Sequence, residues 1–426
     1  MHELKELVAL QKRGVKRGIC SVCSSSPFVI DAALLQAKEA GTALLLEATA
    51  NQVNQFGGYT GMTPQDFRDR TLSRARAAGL PEERLILGGD HLGPVAWRGC
   101  PAAEAMENGA ALVRAFALAG YSKIHLDASM PLGGDALLTT EEIARRTATL
   151  CRAAEEGYLA RKKEHSGAAA PVYVIGSEVP TPGGSGTENE LSVTRPEALT
   201  DMLCTFEAAF AESGLTEAWT RVIAAVVQPG VEFGNDEIHE YEPEAAAELV
   251  AAVRKLKNVV LEGHSTDYQT EASLRRLVED GVAILKVGPA LTFACREALF
   301  ALSYIELELD VKTPSRFMET LEKAMRESPG NWASHYPKDA PNPRLLRRFS
   351  LSDRSRYYMA APAVEQATER LLKNLEETGI PLALISQFFP MQYTRVRRGA
   401  LAAQPRALVL DKVRETLAVY WRACGY

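Results

Sequence analysis

The sequence lacks a long apolar run, a cysteine framework and a block of one charge. No window approaches the run of about 18 apolar residues that spans a bilayer, and residues 1–17 are charged and amphipathic without the apolar centre of a secretory leader. No membrane partner is expected. Seven cysteines, an odd number scattered widely, do not make a disulfide framework, so a reducing, cytoplasmic setting is expected. Cys20 and Cys23 form a CxxC, but no second pair completes a zinc site, and Cys20 lies in an apolar run; both read as buried structural thiols. A net charge of −6 without a basic block argues against nucleic acid as a partner. The five arginines between Arg344 and Arg356 are interrupted by acidic and apolar residues, and read either as a local anion site or as a solvated face. No GxxxxGK[ST] occurs, which argues against a P-loop kinase, and no GxGxxG opens a helix after a strand. The Ser24-Ser25-Ser26 run has no histidine nearby in sequence and reads as the cap of the following helix.

What is present is a rhythm. Eight short, continuously apolar runs (18–23, 43–48, 85–90, 123–127, 172–178, 222–228, 259–264 and 284–287) alternate with helix-period stretches at 64–78, 102–119, 141–162, 243–256 and 270–279. Continuous rather than alternating hydrophobicity suits strands covered on both faces. Eight βα units in series predict an α/β fold, a (β/α)8 TIM barrel over 1–305, in preference to an open doubly wound sheet. From about Glu306 the pattern becomes helical (309–323, 363–378, 405–420), predicting a C-terminal helical extension over 306–426 packed on the barrel.

Polar residues that would be odd in a core end one strand after another: Glu47, Asp90-His91, His125 with Asp127, Glu178, Gln228, His264 and Lys286. At the C-terminal face of a barrel these side chains converge on one mouth. His91, His264 and Glu178 form a candidate divalent-metal set, because neutral imidazole and carboxylate suit zinc and its first-row neighbours Mn2+, Co2+ and Ni2+. Asp90, Glu178 and Asp127 are the acid/base candidates. His125 and Asp127, two apart on one strand, face the same way, so either serves as a ligand or as an orienter of one. Long loops after the second and fifth strands add Gln52, Gly184 and Ser185, the latter two in a glycine-rich run of the kind that cradles phosphate. Ser265, Asp267 and Lys286 lie at the seventh and eighth strand ends, where barrels frequently bind phosphate. Arg356 and Tyr358, in the segment 353–358 of the extension, read either as closing over such a phosphate or as a surface Arg/Tyr patch. With Glu47, His125 and Gln228, these are the substrate-binding candidates.

Several segments resemble the GatZ/KbaZ family: Gly88-Gly-Asp-His-Leu-Gly-Pro94, Lys123-Ile-His-Leu-Asp-Ala-Ser129, Gly176-Ser-Glu-Val-Pro-Thr-Pro-Gly-Gly184, Gln228-Pro-Gly-Val-Glu-Phe233 and Leu261-Glu-Gly-His-Ser-Thr-Asp267. The likeness runs over nearly the whole chain, through Gln392-Tyr-Thr-Arg-Val-Arg397. That family is distantly similar to class II zinc aldolases, in which an Asp-His pair supplies base and zinc ligand; Asp90 and His91 match it. The aldolases' sixth-strand metal histidine is replaced here by Gln228, so the resemblance implies a ligand set rebuilt from Glu178, His125 or another group. Members are described either as helper subunits of a separate tagatose-bisphosphate aldolase or as stand-alone ketose 6-phosphate 4-epimerases. The resemblance therefore implies a metal-dependent epimerase of fructose 6-phosphate and tagatose 6-phosphate, or else a partner of a class II aldolase. A homo-oligomer is expected in either case. Phe388-Phe389-Pro-Met391 is a candidate partner patch, or else a cover for one end of the chain's own barrel.

Overall fold

The computed structural model describes residues 2–135, 138–176, 192–337 and 339–426. Ten strands occur among them: β1 (Ile19–Cys23), β2 (Leu44–Thr49), β3 (Leu85–Leu92), β4 (Lys123–Leu126), β5 (Val172–Ile175), β6 (Val222–Val227), β7 (Glu232–Phe233), β8 (Ile238–His239), β9 (Val260–Gly263) and β10 (Val282–Val287). Eight of them close a parallel barrel in the order β1-β10-β9-β6-β5-β4-β3-β2, and β7 and β8 form a small antiparallel pair in the loop after β6. The (β/α)8 barrel is therefore the observed fold. Each barrel strand coincides with one of the eight apolar runs, because covering both faces leaves no polar alternation to blur the signal.

Helices start and stop where local chemistry dictates. Thr63 and Asp66 form a reciprocal capping box with Pro64 in the first turn, and Gly79 at φ 75° ends the helix Pro64–Ala78. Ser26 takes the N-cap position of Pro27–Ala40 but makes no side-chain cap bond, so the serine run caps by position only. The expected helix at 309–323 is displaced: Pro314 lies inside that span, and the helix begins at Phe317 and runs to Glu327.

The barrel bore is filled in two tiers. At its floor Ile19, Leu45, Val172, Val226, Val260 and Ile284 form one apolar cluster with Leu4, Leu7 and Val8 of the N-terminal helix Glu3–Lys12. His2 contacts the Ser122 carbonyl through Nε2, just before β4, which places this helix across the N-terminal ends of the strands. Above that floor the bore turns polar, with Ser21, Glu47, Lys123, Glu262 and Lys286 all buried. The C-terminal helix Pro405–Ala423 lies on the barrel wall: Trp421 donates to Thr42, Tyr420 donates to the Thr266 carbonyl, and the Cys424 carbonyl accepts from Gly18. No described helix is long and apolar enough to cross a membrane.

Candidate active site

The polar tier is an ion lattice. Lys123 Nζ lies 2.7 Å from Glu47 Oε1 and 2.7 Å from Glu262 Oε2. Lys286 Nζ lies 2.7 Å from Asp90, 3.1 Å from Glu47 and 3.4 Å from Glu262. Gly88 makes room for it, since a Cβ there would sit 2.7 Å from Glu47 Cγ. Burial alone would raise Glu262, but Lys123 and Lys286 hold it well below the usual carboxylate range. Burial likewise opposes charge on Lys286, and Asp90 with the other acidic neighbours outweighs it, so the ammonium is held far above its ordinary value. Three carboxylates thus face two ammonium groups, leaving negative charge in excess inside the bore.

Directly above lie three histidines whose rings meet at 5.0, 5.2 and 5.3 Å between centroids: His91, His125 and His264. Asp90, His125, Glu262 and His264 are all buried and each offers one ligand atom within 4.8 Å of the others, a group that could hold a metal ion. His125 Nδ1 lies 3.1 Å from Asp90 Oδ1, while its Nε2 is buried with no hydrogen-bond partner. His264 is held neutral, its pKa lowered to about 3, chiefly by burial, so its imidazole keeps a lone pair to give. Two imidazoles and two carboxylates suit a first-row dication, and an excess of buried negative charge would be answered by one.

His91 stands beside this group. Its Nδ1 lies 3.1 Å from Asp127 Oδ2, and Asp127 is in turn held by the Ser129 backbone N–H and hydroxyl. Burial disfavours protonated His91, but Asp90 and Asp127 outweigh that and raise its pKa. Asp90 would be raised by burial, yet His91, Lys286 and the His125 hydrogen bond hold it well below its ordinary value. His91 and Ser265 both adopt left-handed backbone, at φ 49° and 53°. Such strain in non-glycine residues gathers where a fold fixes functional groups.

The mouth opens as two adjoining cavities with His91, Thr49, Asn51, Tyr59 and Tyr357 in common. One lies over Asp90, His264, Ser265 and Lys286; the other runs from Asp127 and Ser129 out to Arg98, His335 and Arg354.

The family model for the D-tagatose-1,6-bisphosphate aldolase subunit GatZ/KbaZ-like group matches residues 4–425. The chain belongs to the GatZ/KbaZ family. It is 49% identical over 424 residues to the D-tagatose-1,6-bisphosphate aldolase subunit GatZ of Salmonella agona (strain SL483), covering 99% of each chain. The Salmonella typhimurium protein of the same name is equally similar, 49% identical over 424 residues with 99% of each chain covered. A crystal structure of a probable tagatose 6 phosphate kinase from Sinorhizobium meliloti 1021 superposes with a TM-score of 0.87 at 45% identity, covering 96% of this chain and 100% of that one.

Within this GatZ/KbaZ member, Glu47, Asp90, His91, His125, Asp127, His264 and Lys286 do gather at one end of the barrel. Gln52, Ser265, Asp267 and Arg356 line the first cavity. Gln228 sits at the end of β6, its Oε1 accepting from the N–H groups of Gly230 and Val231, so it shapes a turn. Tyr358 is buried with its hydroxyl donating to the Ser328 carbonyl; Tyr357, one step along the same turn, faces the mouth. Glu178, Gly184 and Ser185 lie outside the described residues. Sequence reasoning passed over Glu262, although its spacing of two from His264 on one strand puts both on the same face.

Proposed function

We propose that the chain is a metal-dependent epimerase that inverts C4 of a ketose 6-phosphate, interconverting fructose 6-phosphate and tagatose 6-phosphate. The observation that carries this reading is the buried group of Asp90, His125, Glu262 and His264 opening on a cavity, with His125 Nε2 left without a partner. A subunit with only a scaffolding role has no physical need of it. A dication held by these four residues would supply Lewis-acid polarisation of the sugar's carbonyl and hydroxyl oxygens; zinc, Mn2+, Co2+ or Ni2+ fits the donor set.

The reaction this site suits is retro-aldol cleavage and re-addition. The C4 hydroxyl proton passes to a base of the Asp90–His91 pair, the C3–C4 bond breaks, and its electrons enter an enediolate spanning C2 and C3. The three-carbon aldehyde turns, the enediolate attacks its other face, and the proton returns to the new C4 hydroxyl oxygen. Asp127 fixes the His91 ring, and Asp90 with Asp127 strengthens His91 as a base, so the neutral imidazole takes that proton and returns it. Lys286 keeps Asp90 ionised throughout. Glu178, which follows β5 in sequence, is assigned a second acid/base or ligand role. The seven free cysteines suit a cytoplasmic setting.

The test is incubation of the purified chain alone with fructose 6-phosphate and each metal. Tagatose 6-phosphate should form, and should vanish with EDTA or in His91→Ala. Absence of product with every metal sinks the reading.

A second reading, the helper subunit of a class II tagatose-bisphosphate aldolase, is favoured by the names of the Salmonella relatives. Leu382 and Met391 are exposed beside Phe388, which stacks on Tyr304. Co-expression with such an aldolase, followed by its thermal inactivation with and without this chain, tests that role directly.

A further inference from the structure

We propose that the mouth holds the anionic end of its ligand, a phosphomonoester dianion, between Arg98, Arg354, Arg356 and His335, and not at the β9–β10 strand ends. The inference rests on the reading above that the substrate is a sugar phosphate, and adds where the phosphate goes.

Barrels commonly bind phosphate on the backbone N–H groups after their last strands. Here those groups are taken. Asp267 Oδ1 accepts from Gly288 N at 3.0 Å and from Ala290 N at 2.8 Å, where the helix Pro289–Leu307 begins. Lys286, on β10 itself, is surrounded by three carboxylates. An incoming phosphate at that place would face Asp267 rather than free donors, and like charge excludes it.

The second cavity of the same mouth carries Arg98, His335 and Arg354 at its outer end. Tyr357 forms the partition, with the Arg356 guanidinium 4.5 Å and the Arg354 guanidinium 5.8 Å from its ring centroid. Arg354 is buried, and its Nη2 lies 2.7 Å from His335 Nδ1. Since guanidinium only donates, His335 accepts there and its Nε2–H is free to donate elsewhere. Arg98 lines the same cavity from the loop after β3. Among the described residues neither Arg98 nor Arg356 enters an ion pair, and Asp353, the nearest acid in sequence, is tied to Arg296, Thr292 and Ser355. The field is felt locally: burial and then the Arg354, Arg356 and Arg98 charges lower His335 to about 4. Guanidinium forks match the oxygens of a phosphate. A ketose 6-phosphate carries its phosphate at the far end of the chain from the C2 carbonyl, as two joined cavities require.

The measurement is titration of the protein with inorganic phosphate, followed by 31P line broadening and calorimetry. EDTA-treated protein runs in parallel so that binding at a metal is told apart. The wild type should bind one phosphate with EDTA present. Exposed Arg98→Met and buried Arg354→Met should each weaken it about 10- to 100-fold, with circular dichroism checking the fold of the second. Absence of saturable binding in the wild type, or unchanged binding in folded Arg98→Met and Arg354→Met, overturns the proposal. Arginine-dependent binding without epimerisation would leave this subsite standing and remove the reaction assigned to it.

Discussion

The carboxyl of Asp267 is buried, with two backbone N–H groups on one oxygen, and burial lifts its pKa to about 6 despite those bonds. The folded chain therefore holds a proton there that the unfolded chain, near 3.8, gives up. This contribution is fully present below pH 4 and is lost as pH rises towards 6, a decline of about 3 kcal/mol. Asp267→Asn keeps an acceptor oxygen and should flatten that part of a urea-denaturation profile between pH 4 and 7; an unchanged slope would count against the assignment. Lys286→Met should leave Asp90, Glu47 and Glu262 crowded and uncompensated, costing about 3–5 kcal/mol, read as a lower urea midpoint. Asp90, His125, His264 and Lys286 were legible in the sequence because ionisable residues inside apolar strands stand out. Glu262 was legible by the same rule, since it too is ionisable inside an apolar run and lies two residues before His264. Arg98, Arg354 and His335 were not legible, because their meeting depends on how loops hundreds of residues apart fold over one another.

Strands β3 and β4 carry most of the site, and one glycine sets how closely they meet. A Cβ at Gly93 would lie 1.8 Å from the Asp127 carbonyl oxygen, so Gly93→Ala must push the β3 end from the β4 end. His91 and Asp127 ride on those ends, and the variant should lose their 3.1 Å contact. We expect either insoluble protein or a folded chain retaining less than about one-tenth of the wild-type bound metal by elemental analysis, as the supporting groups of metal ligands typically govern affinity by 10- to 100-fold. The elements themselves could be read from the sequence because caps and continuous apolar runs announce them; Pro64–Ala78 and Ala102–Ala119 start and stop as expected. The stretch at 243–256 was less informative: only Ala247–Val253 is helix, preceded by turns that share its apolar spacing.

Across the whole molecule, the chain's two ends meet on the barrel. Helix Pro405–Ala423 buries Leu408, Val413, Leu417, Tyr420 and Trp421. Arg406 pairs with Asp31 in the helix after β1, and Arg422 with Glu271 in the helix after β9. Removing residues 405–426 would strip that wall, and the shortened chain should aggregate or elute as an expanded species by size-exclusion chromatography. A compact, metal-binding truncation would show that the wall stands without it. At the other end, the helix Glu3–Lys12 seats its leucines in the base of the bore. Among the described residues the barrel is thus a vessel closed at its base. In the reaction proposed above, a fragment cut loose at the mouth would find no exit on that side before it is rejoined.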